Sequence, residues 1–342
     1  MDNNPVGSGN ARGNAGSPLG RRDSRVLLSH GDGGLLTHRL VEDVFLKHLG
    51  NAFTGQMDDS ARLPLPPGAE IAHTTDSFVV DPIFFPGGDI GKLSVFGTLN
   101  DLWVSGALPL YLSAGFIIEE GLGFAELEGI VRSMAEALRS CGVGLVAADT
   151  KVVPRGKGDK IYINTSGVGV IPPERRMQRK ALPGDRVIVS GTVGEHGLTI
   201  MALRTNVDPG SLTSDCGPVG PAVDELFRSG VQVHMMRDPT RGGLASVVKE
   251  VAELSACDVL IRESQIPIRP EAQELLDLLG LDALYLPCEG RVVAFVGPGP
   301  IPEGWSEIGE VREGSGNVIL ETKYGGHRRL GLLEGAPLPR IC

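Results

Sequence analysis

Leu110-Tyr-Leu-Ser-Ala-Gly-Phe-Ile-Ile118 is followed by Phe124-Ala-Glu-Leu-Glu-Gly-Ile-Val-Arg-Ser-Met-Ala-Glu-Ala-Leu138, and then by Val143-Gly-Leu-Val-Ala-Ala148 with Asp149-Thr150-Lys151 at its end. The first and third segments are short apolar runs, which predict strands. The second sets Phe124, Leu127, Val131, Met134 and Leu138 three or four residues apart, which predicts a helix with one apolar face. Strand, helix and strand in succession give a mixed α/β fold. Upstream, residues 71–80 predict a strand interrupted by Thr74-Thr75-Asp76, and residues 92–107 an apolar helix that carries Asn100-Asp101. Downstream, residues 160–170 predict a strand containing Asn164.

Pro172-Pro173-Glu174-Arg175-Arg176 is a proline-rich, charged break, and the domain boundary is placed there. The predicted organisation is a disordered extension over 1–25, rich in Gly, Asn and Ser, a domain over 26–172, a second over 173–330, and a tail over 331–342. The second half again alternates. Strands are expected at 186–190, 231–235 and 291–296, and helices at 198–203, 222–227, 244–254 and from Pro270. With 342 residues, two domains can each bury a full core.

The formal charge of −10 and the shortness of the basic runs exclude a nucleic-acid or anionic-membrane surface. No stretch resembles a signal peptide or a membrane span, so a soluble, cytoplasmic protein is expected. Five widely spaced cysteines with no C-x-x-C predict neither a disulfide framework nor a zinc site. Cys141, Cys216, Cys257 and Cys288 read as structural or incidental thiols. The seven histidines form no ligand pattern.

Cys342 is different, because it ends the chain behind Pro337, Pro339 and Arg340. Prolines at alternate positions keep a segment extended, so the last ten residues predict a semi-rigid mobile arm able to span roughly 30 Å. The α-carboxylate on the same residue raises the thiol pKa, so a reactive thiolate there needs a nearby cation.

Four aspartates, Asp76, Asp101, Asp149 and Asp238, each stand at the edge of a predicted element in an apolar or glycine-rich context. One such residue is a cap or a turn. Four together, beside Thr75, Asn100, Thr150 and Asn164, predict oxygen ligation of Mg²⁺. Lys92, Lys151 and Arg241 lie in the same motifs, and two glycine loops, Gly33-Gly34 and Thr240-Arg241-Gly242-Gly243, each precede a predicted helix, as a phosphate site requires. The pattern matches no P-loop and no dinucleotide fingerprint. An ATP and Mg²⁺ site built without either is the economical reading.

These residues resemble a known family. His30-Gly31-Asp32-Gly33-Gly34, Thr75-Asp76-Ser77, the run Phe84-Phe-Pro-Gly-Gly-Asp-Ile-Gly-Lys-Leu93, Asn100-Asp101, Ala148-Asp149-Thr150-Lys151, Arg237-Asp-Pro-Thr-Arg-Gly-Gly243 and the terminal Leu338-Pro-Arg-Ile-Cys342 are similar to the HypE family of hydrogenase maturation proteins, the carbamoyl dehydratases. More distantly they resemble the superfamily of aminoimidazole ribonucleotide synthetase, selenophosphate synthetase and thiamine-monophosphate kinase. Asp32 stands where a serine is common and Ala148 where a glycine is common, which leaves the phosphate cradle open.

The resemblance implies a two-domain PurM-like fold whose N-terminal strands pair across a homodimer, with ATP bound between the domains. It implies that a carbamoyltransferase, HypF, loads Cys342, that the thiocarbamate is dehydrated to a thiocyanate with ATP, and that the cyano group passes through a HypC–HypD complex to the iron of a [NiFe] hydrogenase. Cys342, Lys151 and Glu289 are then the catalytic residues. Gly33, Gly34, Thr75, Lys92, Asn100, Thr150, Asn164, Thr240, Arg241, Gly242 and Gly243 bind ATP, and the four aspartates bind Mg²⁺. Two other classes stay open on the residues themselves: a small-molecule kinase or synthase of the superfamily, and a scaffold that merely carries the group on Cys342.

Overall fold

The computed structural model describes residues 25–54, 60–332 and 340–341. The first half is organised around α3 (Ile90–Val104). Asp89 caps it by accepting from the backbone N–H groups of Gly91 and Lys92, and 13 of its 15 residues are buried. An apolar helix with no polar face can be stable only between two packed layers. One layer is a four-stranded sheet in the order β1-β6-β4-β5, made of β1 (Glu70–Phe78), β4 (Leu108–Glu119), β5 (Gly144–Val153) and β6 (Ile161–Ile171). β4 pairs parallel with β5 and antiparallel with β6. α4 (Phe124–Cys141) joins β4 to β5 as the predicted crossover, buries Leu127, Val131, Met134 and Leu138, and ends on left-handed Gly142. Before the sheet come α1 (Leu35–Leu40), a π-helical segment Val41–Leu46 and α2 (Lys47–Leu49); the hairpin of β2 (Phe84–Phe85) and β3 (Gly88–Asp89) leads into α3.

The second half holds a seven-stranded sheet in the order β13-β12-β9-β11-β7-β10-β8. Its strands are β7 (Arg186–Val189), β8 (Val233–Arg237), β9 (Cys257–Arg262), β10 (Val293–Val296), β11 (Ser306–Glu313), β12 (Val318–Glu321) and β13 (His327–Leu330). Its helices are α5 (Glu195–Arg204), α6 (Gly220–Arg228), α7 (Gly243–Ser255) and α8 (Pro270–Leu279). Only β12 and β9 pair parallel. The two halves meet on α3. Gly220 opens α6 against Trp103, where a Cβ would lie 2.5 Å from the indole, and the Asn100 amide donates to Gly217 O and Glu289 O.

The boundaries differ from the sequence expectation in two ways. β5 runs on through Asp149-Thr150-Lys151 to Val153, whereas a strand ending at Ala148 is expected. β9, β11, β12 and β13 are additional strands. The expected mobile arm lies mostly outside the described residues, as do residues 1–24. At its end, however, Arg340 and Ile341 are docked on the body of the protein, with Ile341 buried.

Candidate active site

Register divides the expected site residues between the two faces of the first sheet. Asp76 pairs with Thr165, and Thr165 hydrogen-bonds Thr98 of α3, so Asp76 lies on the covered face. Asp101, on α3, accepts 2.7 Å from Thr74 Oγ1 and shares a hydrogen bond with Asp76. Burial first, and then the Asp101 carboxyl, push Asp76 up to about 6, while Arg241 and Thr98 act in the other direction. Asp238, at the end of β8, is pushed up to about 7 by burial and then by Asp101 and Asp76. Three of the four predicted metal ligands therefore crowd one another.

Asp149 stands apart from them. It lies opposite Gly115, which lies opposite Asn164, and its side chain is 77% exposed with Lys151 Nζ 3.9 Å away. The exposed face thus carries Asp149, Lys151, Thr75 and Asn164, whereas Thr150 lies opposite Phe116, which is 1% exposed, and so turns to the covered face. The first glycine loop runs beside the edge strand β5, where Gly31 packs on Val152 and a Cβ would lie 2.6 Å from its backbone nitrogen. Gly33 and Gly34 follow it in the open. Asn164 donates to Asp76 O and Ser77 Oγ.

Among the described residues no three His, Cys, Asp or Glu side chains form a metal cage. Mg²⁺ does not require one, since it retains waters and is held by one or two carboxylates together with substrate phosphates. Asp76, Asp101 and Asp238 are suited to such a cation, because a divalent charge would relieve the crowding of carboxylates that pushes Asp76 and Asp238 up.

Around α3 a second constellation forms. Glu289 is 2% exposed, and its carboxylate lies beside Gly97, where a Cβ would stand 4.0 Å from Oε2. The loop that carries it is gripped from three sides. Cys288 N–H donates to Pro239 O, tying the loop to the Thr240-Arg241-Gly242-Gly243 turn. Asn100 holds Glu289 O, and its own Oδ1 accepts from Val219 N. Asn100, expected to touch ATP, thus has its amide on backbone groups of the second half. On the third side, Asp215 Oδ1 and Oδ2 accept from Glu289 N and Gly290 N. Gly290 is required here, because a Cβ would lie 2.0 Å from Asp215 O. Gly243, at φ +62°, is equally confined by Leu284 O and Leu286 O. Lys92, half-buried in the first turn of α3, directs its charge toward Asp89 and Cys216.

The docked end of the chain reaches this constellation. Arg340 O accepts from Asp81 N and from the Arg204 guanidinium, and Arg340 pairs with Asp159 at 2.6 Å. Ile341 is 4% exposed, and its carbonyl accepts 2.8 Å from His196 Nε2. Cys342 itself lies outside the described residues. His196, Ser214, Asp215 and Arg204 form this seat, and no sequence motif announces them.

Two family models match the chain: AIR synthase related protein, N-terminal domain, over residues 57–171, and AIR synthase related protein, C-terminal domain, over 183–320. The carbamoyl dehydratase HypE of Rhodobacter capsulatus is 45% identical over 94% of this chain and 99% of its own length. The chain belongs to the HypE family of carbamoyl dehydratases. A solved hydrogenase maturation protein HypE in complex with ATP aligns with a TM-score of 0.87 at 43% identity, over 92% of this chain and 99% of that one. A HypE–HypF complex aligns with a TM-score of 0.72 at 39% identity, over 86% and 99%. The expected PurM-like two-domain α/β fold and the dehydratase class of the chain follow from these likenesses. Among the described residues no helix is long and apolar enough to cross a membrane.

Proposed function

We propose that the chain dehydrates a carbamoyl group carried on its own Cys342 to a cyano group with Mg-ATP, in the cytoplasm, as the step that supplies a cyanide ligand to [NiFe] hydrogenase iron. A HypF-type carbamoyltransferase would load the thiol, and a HypC–HypD complex would receive the product. The observation that carries this reading is the buried seat of Ile341, which brings the end of the chain to the loop that holds Glu289.

An amide oxygen is a poor leaving group until it is phosphorylated. In the proposed reaction it attacks the γ-phosphorus of ATP and ADP departs. The C–O bond then breaks as both N–H protons are lost, leaving a C≡N group and releasing phosphate. Glu289, buried against α3, is the proposed proton acceptor. Asp76, Asp101 and Asp238 are the proposed Mg²⁺ carboxylates, with Thr240, Arg241, Gly242 and Gly243 toward the phosphates. Lys151, Asp149, Thr75 and Asn164 lie on the exposed face, and we assign them, with Thr150, Gly33 and Gly34, to the same site completed by a second copy in a homodimer. The four other thiols support Cys342 as the carrier: burial raises Cys141 and Cys257, and raises Cys216 and Cys288 well above the ordinary thiol value, so each is a poor nucleophile.

Phosphate release distinguishes this reading from its alternatives. The parent should release phosphate from Mg-ATP only after carbamoylation, and Cys342→Ala should release none. Turnover on a free small molecule would instead indicate a kinase or synthase, and loading without any phosphate release would indicate a carrier.

A further inference from the structure

His196 is fully buried, and its two ring nitrogens have different partners. Nε2 lies 2.8 Å from Ile341 O, and Nδ1 lies 2.8 Å from Ser214 Oγ. A carbonyl oxygen can only accept, so Nε2 carries the proton and Nδ1 accepts from the Ser214 hydroxyl. Ser214 Oγ in turn accepts from Cys216 N–H at 3.0 Å. Burial lowers the His196 pKa, which keeps the ring in this neutral form. The ring also packs edge-on against Phe85, with centroids 5.4 Å apart.

The residue after Ser214 ties the His196 backbone to the Glu289 loop. Asp215 Oδ1 accepts from both the backbone N–H of His196, at 3.1 Å, and the backbone N–H of Glu289, at 3.2 Å. Gly87 is needed for the approach, since a Cβ there would meet Ser214 O at 2.5 Å, and Pro86 O accepts from Ser214 N–H. One turn therefore grips the Glu289 loop directly and, through His196, the carbonyl of the peptide that joins Ile341 to Cys342.

We propose that His196, oriented by Ser214 and Asp215, is a positioning residue for dehydration: it fixes the peptide preceding Cys342 relative to Glu289, and it takes no part in loading by the carbamoyltransferase. The inference rests on Cys342 being the carried thiol. A carbonyl held by a single hydrogen bond can be released for loading and recaptured for reaction, whereas a residue serving only the fold would affect both steps.

The test follows both steps in the full-length protein by intact mass: loading with the carbamoyltransferase, then single-turnover water loss with Mg-ATP. His196→Phe keeps the bulk and the Phe85 contact but loses the donor. It should load at the parent rate and dehydrate about 10-fold more slowly, the worth of one ordinary hydrogen bond. His196→Gln, which restores an N–H donor, should recover most of that rate. Ser214→Ala, which keeps the ring but frees its orientation, should fall between them and covers the case in which His196→Phe does not fold. Parent-rate dehydration in both His196→Phe and Ser214→Ala, equal loss of loading and dehydration, or a Gln variant as slow as Phe would overturn the proposal while leaving Cys342 as carrier. A parent that is never loaded on Cys342 would overturn both.

Discussion

Replacing Ile341 by alanine removes three carbons from a side chain that is 4% exposed in the docked tail. At ~0.8 kcal/mol per buried methylene, the docked state loses about 2.4 kcal/mol, or roughly 50-fold in the docking equilibrium. The remaining anchors do not make up that loss. The Arg340 pair with Asp159 is half-exposed, and such pairs contribute about 0–1 kcal/mol. Because the tail is terminal, the global melting temperature should hardly move, and ATP affinity should equal the parent's. Loading should also be unchanged, since in the proposed sequence the tail is presented undocked to the carbamoyltransferase. The assay is single-turnover dehydration of pre-carbamoylated protein followed by intact mass, and the expected result is a rate up to ~50-fold below the parent. A parent-like rate, or a matching loss of loading, would show that the seat of Ile341 does not serve the reaction.

Other outcomes follow from the same geometry. Asp76 and Asp238, raised to about 6 and about 7, favour their neutral forms when folded, so their contribution to stability is present at low pH and lost as pH rises from 3.8 through those values. Mg²⁺ should therefore raise the melting temperature more at pH 8 than at pH 5, and equal shifts would place the metal elsewhere. Gly290→Ala forces a Cβ to within 2.0 Å of Asp215 O and should destabilise the fold by about 1–3 kcal/mol in chemical denaturation. A truncation beginning at Arg25 should retain full turnover, because it keeps Val26, which is buried and exchanges backbone hydrogen bonds with Gly121 and Leu122.

Much of the framework was legible in local periodicity. The largely apolar composition of α3 and the 3–4 spacing of α4 predict both helices, and the proline break precedes the second sheet. Two of the strands not foreseen have separate causes. β13 is His327-Arg328-Arg329-Leu330 on a sheet edge, where charge is favoured, and β9 directly follows the end of α7. Asp149-Thr150-Lys151, with little apolar alternation, reads as a strand end, although it continues β5 with its charges facing outward. At the site, the apolar surroundings of Asp76, Asp101 and Asp238 single them out, and the structure brings these three together. The separation of Asp149 depends on register, on which residue lies across from Gly115, and local spacing carries no such information. Asn100 meets backbone groups of the second half, which lie more than 100 residues away in sequence. His196 escapes sequence reading altogether, since its partner is a backbone carbonyl 145 residues away.

The central claim is that a carbamoyl group on Cys342 is dehydrated there with ATP, and tail-peptide mass before and after Mg-ATP tests it most directly. The parent should gain one carbamoyl mass on Cys342 and then lose one water only when ATP is added, while Glu289→Ala gains the group and stalls. Modification mapped to Cys141, Cys216, Cys257 or Cys288, or water lost without ATP, would contradict it.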